Sequence, residues 1–148
     1  MNPVVLDHLI DQAEQARTEA ARLLAEERHN KQKIAQQLAT LQHYRHDYAV
    51  QLQTHLQQGM AGHMLQNYQQ FLYSLDSAIQ RAQQALVEQE HKVDQQQQHW
   101  LQQQRTLASF ETLQERQHKA AMYQLNKREQ KLNDELSIAM YLRQRASQ

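Results

Sequence analysis

Cysteine is absent from this 148-residue chain, proline occurs once, at Pro3, and glycine twice, at Gly59 and Gly62. Without cysteine there is no disulfide framework, no thiolate nucleophile and no cysteine-type zinc site, a usage that fits a reducing compartment. Proline breaks helices through its missing N–H and ring clash, and glycine through its backbone freedom. Nothing therefore interrupts a helix over about 55 residues before Gly59 or about 85 after Gly62. Charge of one sign is missing too: 16 Lys plus Arg balance 16 Asp plus Glu. Nucleic acid is not an expected partner, because phosphate neutralisation needs a basic footprint. No run approaches the ~20 apolar residues that cross a bilayer. The start, Met1-Asn2-Pro3-Val4-Val5-Leu6-Asp7, lacks the basic and apolar regions of a secretory signal, so the expected location is cytoplasmic.

What is present is glutamine, at 30 positions, with 40% hydrophobic residues and a mean hydropathy of −0.93. Such a chain cannot bury a broad interior, and its core must be a seam. Leu, Ile, Ala, Tyr and Phe recur at helical spacing through the polar background, which argues against disorder. The expected fold is all-α: one domain over 1–148, an antiparallel coiled-coil hairpin with helix one about 3–58, a turn about 59–63 and helix two about 64–146.

Helix one is expected to start at Pro3 with Asn2 as its cap. Its seam is assigned to Ala13, Ala16, Ala20, Leu23, Glu27, Asn30, Ile34, Gln37 or Leu38, Leu41, Tyr48 and Leu52, on or next to a 3.5-residue repeat. Glu27 and Asn30 are polar interruptions of the kind that fix register or are simply tolerated. Gly59 suits the left-handed position that ends a helix, and Gly62 is assigned the swing back into helix two. Helix two carries a strict seam through Leu65, Tyr68, Leu72, Leu75, Ile79, Ala82, Leu86, Gln89, Val93, Gln96, Trp100, Gln103, Leu107 and Phe110. A weaker continuation runs through Ala121, Leu132, Leu136 and Ala139.

With the fold point near residue 60, helix one ends first and about thirty C-terminal residues overhang. At ~1.5 Å per residue the paired section would be roughly 80 Å and helix two roughly 120 Å. The overhang, His118 to Gln148, has six Lys and Arg against three Asp and Glu, and a free basic helix end suits a partner. Near the turn the apolar band is wider than a two-helix seam requires. A second row, Met64, Phe71, Ala78 and Ala85, runs beside the first, with Tyr44 and Tyr48 across the hairpin. Part of this patch should stay exposed as an interaction site.

No catalytic constellation is visible. Of nine histidines only His43 and His46, with Asp47, approach a metal-ligand spacing. There is no phosphate loop and no nucleophile elbow, and a hairpin offers no water-excluded pocket. No catalytic residue, metal or cofactor is assigned, no small-molecule substrate is expected, and the chain is read as a non-enzyme.

Asn67-Tyr68-Gln69-Gln70-Phe71, Ala21-Arg22-Leu23-Leu24, Tyr44 and Tyr48 four apart, Lys92-Val93-Asp94 followed by Trp100, and Leu113-Gln114-Glu115-Arg116-Gln117 together resemble the flagellar export protein FliJ family over nearly the whole chain. The resemblance implies a hairpin similar to the rotor stalk of rotary ATPases, in the cytoplasmic part of the flagellar type III export apparatus. It implies four partners: the hexameric export ATPase, the membrane export gate, the ATPase regulator and substrate-free export chaperones. It also implies peripheral association with the cytoplasmic face of the inner membrane at the flagellar base. The gate contact it implies maps to Gln37, Leu41, Tyr44, Tyr48, Phe71, Leu75 and Ala78; Ala82 continues that face, although a histidine is associated with the position in relatives. The ATPase contact maps, without individual residues, to the helix ends near Leu6 to Arg22 and Leu113 to Leu142. Two alternatives stand beside an export adaptor that is monomeric when free: a self-associating coiled-coil scaffold, and the equivalent stalk of a virulence-type secretion system.

Overall fold

The computed structural model describes residues 1–147 and places them in two helices, α1 (Pro3–Gln58) and α2 (Gly62–Ala146), which pack against each other; no strand occurs among the described residues. The absence of helix breakers accounts for this architecture. At the start of α1, Asn2 Oδ1 accepts the Val4 N–H at 2.9 Å, and the Asn2 carbonyl accepts the Leu6 N–H at 3.0 Å. Asn2 is therefore the cap, and Pro3 fills the first helical position, where its missing donor costs nothing.

Gly59 has φ +92°, a conformation that L side chains rarely adopt, and it terminates α1. The turn then closes faster than the glycine spacing predicts. The Ala61 carbonyl already accepts the Met64 and Leu65 N–H groups at 3.1 and 3.2 Å, so α2 begins at Gly62 rather than near Met64. Gly62 has no positive φ. The reversal is made at Gly59 to Ala61, and Gly62 is an ordinary first-turn residue.

The chain divides into two compact units. One, Thr18–Gln102, contains the turn, and every α2 seam position expected in it, from Leu65 to Trp100, is buried or half-buried. On α1 the inward residues include Ala20, Leu24, Glu27, Lys31, Ile34, Leu38, Leu41, Arg45, Tyr48 and Leu52, a regular heptad. This corrects the apolar assignment. Leu24 is buried where Leu23 is half-buried, and of Gln37 and Leu38 the inward one is Leu38. Lys31 and Arg45 occupy seam positions because their methylene stems can line the seam while their charges reach water.

A polar layer crosses this unit. Gln89, buried, donates from Nε2 to the Glu27 carbonyl at 3.0 Å and also to Glu27 Oε2. One heptad further, Gln96 Oε1 is buried with no partner among the described residues. Satisfied polar pairs in an apolar seam favour one register over its neighbours, since slippage would strand both groups.

The other unit joins Met1–Arg17 to the chain from Gln103 onward. Leu6, Ile10, Ala13 and Leu107 form its buried cluster, with Phe110 and Leu113 packed against it. Leu6 and Leu107 are each only 1% exposed, and burying such a side chain contributes about 1.5–3 kcal/mol. Beside the cluster, Gln114 Nε2 donates to Asp7 Oδ1 at 2.7 Å and Gln117 Nε2 to the Met1 carbonyl at 2.9 Å. There the cover ends. Every described residue from His118 on is exposed, so Ala121, Leu132, Leu136 and Ala139 do not continue a buried seam. Gln148, the last residue of the expected overhang and domain, lies outside the described residues.

Candidate functional site

The face expected to meet an export gate lies within the turn-containing unit. Tyr48 is its centre: its ring centroid is 4.4 Å from that of Phe71 and 4.8 Å from that of Tyr68, both tilted, and Tyr68 in turn lies 5.7 Å from the His55 ring. Tilted pairs at these distances gain quadrupole attraction beyond their buried area. Tyr48 is half-buried, while Tyr44 and Phe71 are 60% and 45% exposed. The cluster therefore joins α1 to α2 and still presents aromatic edges to water.

The remaining expected residues divide by depth. Gln37 is exposed, and Leu41, Ala78 and Ala82 are half-buried. Leu41 and Gln37 share a shallow open depression with Lys33, Gln36 and Thr40. Leu75 is different. It is buried in the seam, so it supports the face from beneath instead of offering a surface for contact.

Two features here are not apparent from apolar spacing. Arg45 Nε donates to Asp76 Oδ1 at 2.9 Å across the hairpin, and this hydrogen bond, with the carboxylate charge, raises the guanidinium pKa further. Its only signal in the sequence is opposite charge at facing register. Tyr73, 75% exposed, stands among the glutamines of the outer side of α2, at Gln66, Gln69 and Gln70. His43 Nε2 lies 3.2 Å from Asp47 Oδ2, an exposed i,i+4 pair, and the described residues contain no group of three or more side chains able to hold a metal.

The second candidate region is the unit of the two chain ends. Its covered part is the Leu6 cluster; its bare part is α2 beyond Gln117. Met122, Tyr123, Leu125, Leu132, Leu136, Ile138, Met140, Tyr141 and Leu142 are all between 44% and 64% exposed. No described helix is long and apolar enough to cross a membrane, so this is apolar surface on a mixed helix and not a spanning segment. In the neighbouring stretch of α1, Arg22 bridges Glu19 at 2.7 Å and Glu26 at 3.2 Å. The hydrogen bond from Arg22 holds the Glu19 carboxyl below its ordinary pKa.

The family model for the flagellar FliJ protein matches residues 2–146. A flagellar FliJ protein of Salmonella typhi is 36% identical over 132 residues, covering 89% of this chain and 90% of the relative. That of Escherichia coli K12 is 36% identical over 129 residues, covering 87% and 88%. Among solved structures, one described as a YscO homologue from Chlamydia trachomatis aligns with a TM-score of 0.70 at 15% identity, over 99% of this chain and 94% of the other. That likeness is one of fold.

Proposed function

The chain belongs to the flagellar FliJ protein family, and from this premise we propose that it is a non-enzymatic, stalk-like adaptor of the flagellar type III protein export apparatus. In this reading its ends enter the hexameric export ATPase ring. The Tyr44, Tyr48 and Phe71 face, with Gln37, Leu41, Ala78 and Ala82 and with Leu75 beneath, contacts the membrane export gate. The same protein meets the ATPase regulator and escorts emptied export chaperones. It acts in the cytoplasm at the inner face of the membrane.

The observation that carries the reading is the unequal length of the helices. With 85 residues in α2 against 56 in α1, the last stretch of α2 has no covering helix and keeps nine large apolar side chains in water. An isolated helix of that kind gains little from propensity alone, so such surface is better explained by a partner than by self-stability. The fold likeness to a YscO homologue fits an export stalk.

The test is ATP turnover. The full chain should promote assembly of the export ATPase ring and raise its turnover, whereas a chain ending at Gln117, which keeps every covered seam position, should lose that effect. Equal stimulation by the shortened chain would move the ATPase contact to the covered part of the hairpin.

A further inference from the structure

Gly62 is not explained by the turn it stands beside. Its φ is not positive, and a methyl there would meet no atom within 4 Å. Alanine would serve the same place in the first turn of α2 and favour the helix more. Three residues earlier Gly59, with φ +92°, does what only a glycine does easily. The chain thus carries two residues suited to end α1 and uses one.

The seam of the turn-containing unit shows the same redundancy. Gln89 is held by the Glu27 carbonyl at 3.0 Å and by the Glu27 carboxylate, whereas Gln96, one heptad on, keeps a buried Oε1 with no partner among the described residues. Glu27 seats one glutamine, and a second stands at heptad spacing to take its place. The other α2 row, Leu65, Leu72, Ile79, Leu86, Val93 and Trp100, is apolar throughout. Displacement by one heptad therefore exchanges like for like along it. A slip by part of a heptad turns both rows away and leaves Glu27 with no amide.

We propose that the hairpin has a second register, in which Gly62 replaces Gly59 as the left-handed end of α1 and Gln96 replaces Gln89 at Glu27. In it α1 ends three residues later and α2 begins four later, at Gln66, together one heptad and about 10 Å of travel along the axis. This slid state is the minor one, because Gln89 is left at the level of Ile34 and the Arg45–Asp76 bond is lost. Its consequence falls on the aromatic cluster: Tyr48 leaves Tyr68 and Phe71 for Leu75 and Ala78. The slide is therefore a switch for that face. It goes beyond the stalk reading and is a property of the chain alone.

The lack of cysteine makes the test clean. Arg45→Cys with Asp76→Cys reports the observed register, and Arg45→Cys with Gln83→Cys, one heptad on, reports the slid one. Each chain is treated with a bifunctional thiol reagent too short to bridge the ~10 Å between registers. The first pair should close fast and the second slowly. Gln89→Leu and Gly59→Ala should each speed the second pair by roughly tenfold, and Gln96→Leu and Gly62→Ala should each slow it by as much. No closure of the second pair even with Gln89→Leu overturns the second register. A rate that rises with both glycine changes also overturns it, in favour of a turn that merely loosens. If Gly59→Ala does not fold by circular dichroism, the opposed responses to Gln89→Leu and Gly62→Ala decide. No ATPase or gate is present, so failure here leaves the proposed function untouched.

Discussion

α2 is one continuous helix with two different surroundings. From Leu65 to Phe110 every position on the three-four spacing is buried or half-buried, although Gln89, Gln96 and Gln103 are among them; from His118 to Ser147 every side chain is exposed, although nine are large and apolar. Apolar content therefore does not decide which stretch is covered. The length of the partner helix does, and α1 runs out first. A glutamine in the covered stretch can be buried by a hydrogen bond to Glu27, while a leucine in the bare one stays in water.

The sharpest contrast comes from paired truncations. Leu107→Ala should cost about 2–5 kcal/mol in denaturant unfolding, because it empties a filled site in the Leu6 cluster. Leu132→Ala, 56% exposed in the parent, should stay within about 0.5 kcal/mol. Equal costs would show that the overhang is packed in solution, most simply in an oligomer.

Exposed aromatic surface within the covered stretch should act on binding instead of stability. Tyr44→Ala and Phe71→Ala should each weaken binding to the cytoplasmic region of the export gate by about 1–3 kcal/mol in calorimetry, with motility falling in parallel. Unchanged affinity for both variants would remove the gate assignment. Leu75→Ala is a poor probe of the same contact, since its burial makes it a stability variant.

A smaller effect is expected at the polar layer. Glu27→Ala removes one acceptor from Gln89 and should cost about 1–2 kcal/mol, with much of the loss recovered when Gln89→Leu is added. If Glu27→Ala is silent, the layer does not hold the register.

The smallest effect is electrostatic. The Glu19 pKa is lowered by the Arg22 hydrogen bond, so its contribution is complete above the ordinary carboxylate value and disappears as pH falls through the lowered one. Because the pair is exposed the change should be slight. Glu19→Gln should remove only that acid-side slope of helix content in circular dichroism, and an unchanged slope would assign it to other carboxylates.

The same contrast explains what the sequence made legible. Two helices, the Asn2 cap, the left-handed Gly59 and the whole α2 seam to Phe110 follow from breakers and spacing, which are local properties of the chain. The α1 seam is less readable, because the three-four count from the sequence passes through Ala16, Leu23 and the polar Asn30, whereas the strict heptad runs one residue later, through Arg17, Leu24 and Lys31. A long cation at a seam position looks polar in sequence yet can line the seam with its stem. Within the face proposed to meet the gate, the family resemblance supplies the residues but not their depth. The burial of Leu75 and the Arg45–Asp76 bond depend on how the two helices face each other.

Amide exchange of the full chain, alone and with the assembled export ATPase, tests the central claim most directly. The account predicts slow exchange from Leu65 to Phe110 in both samples, and exchange beyond His118 that is fast alone and slow in the complex. Protection beyond His118 already present in the free chain, or still absent in the complex, would contradict it.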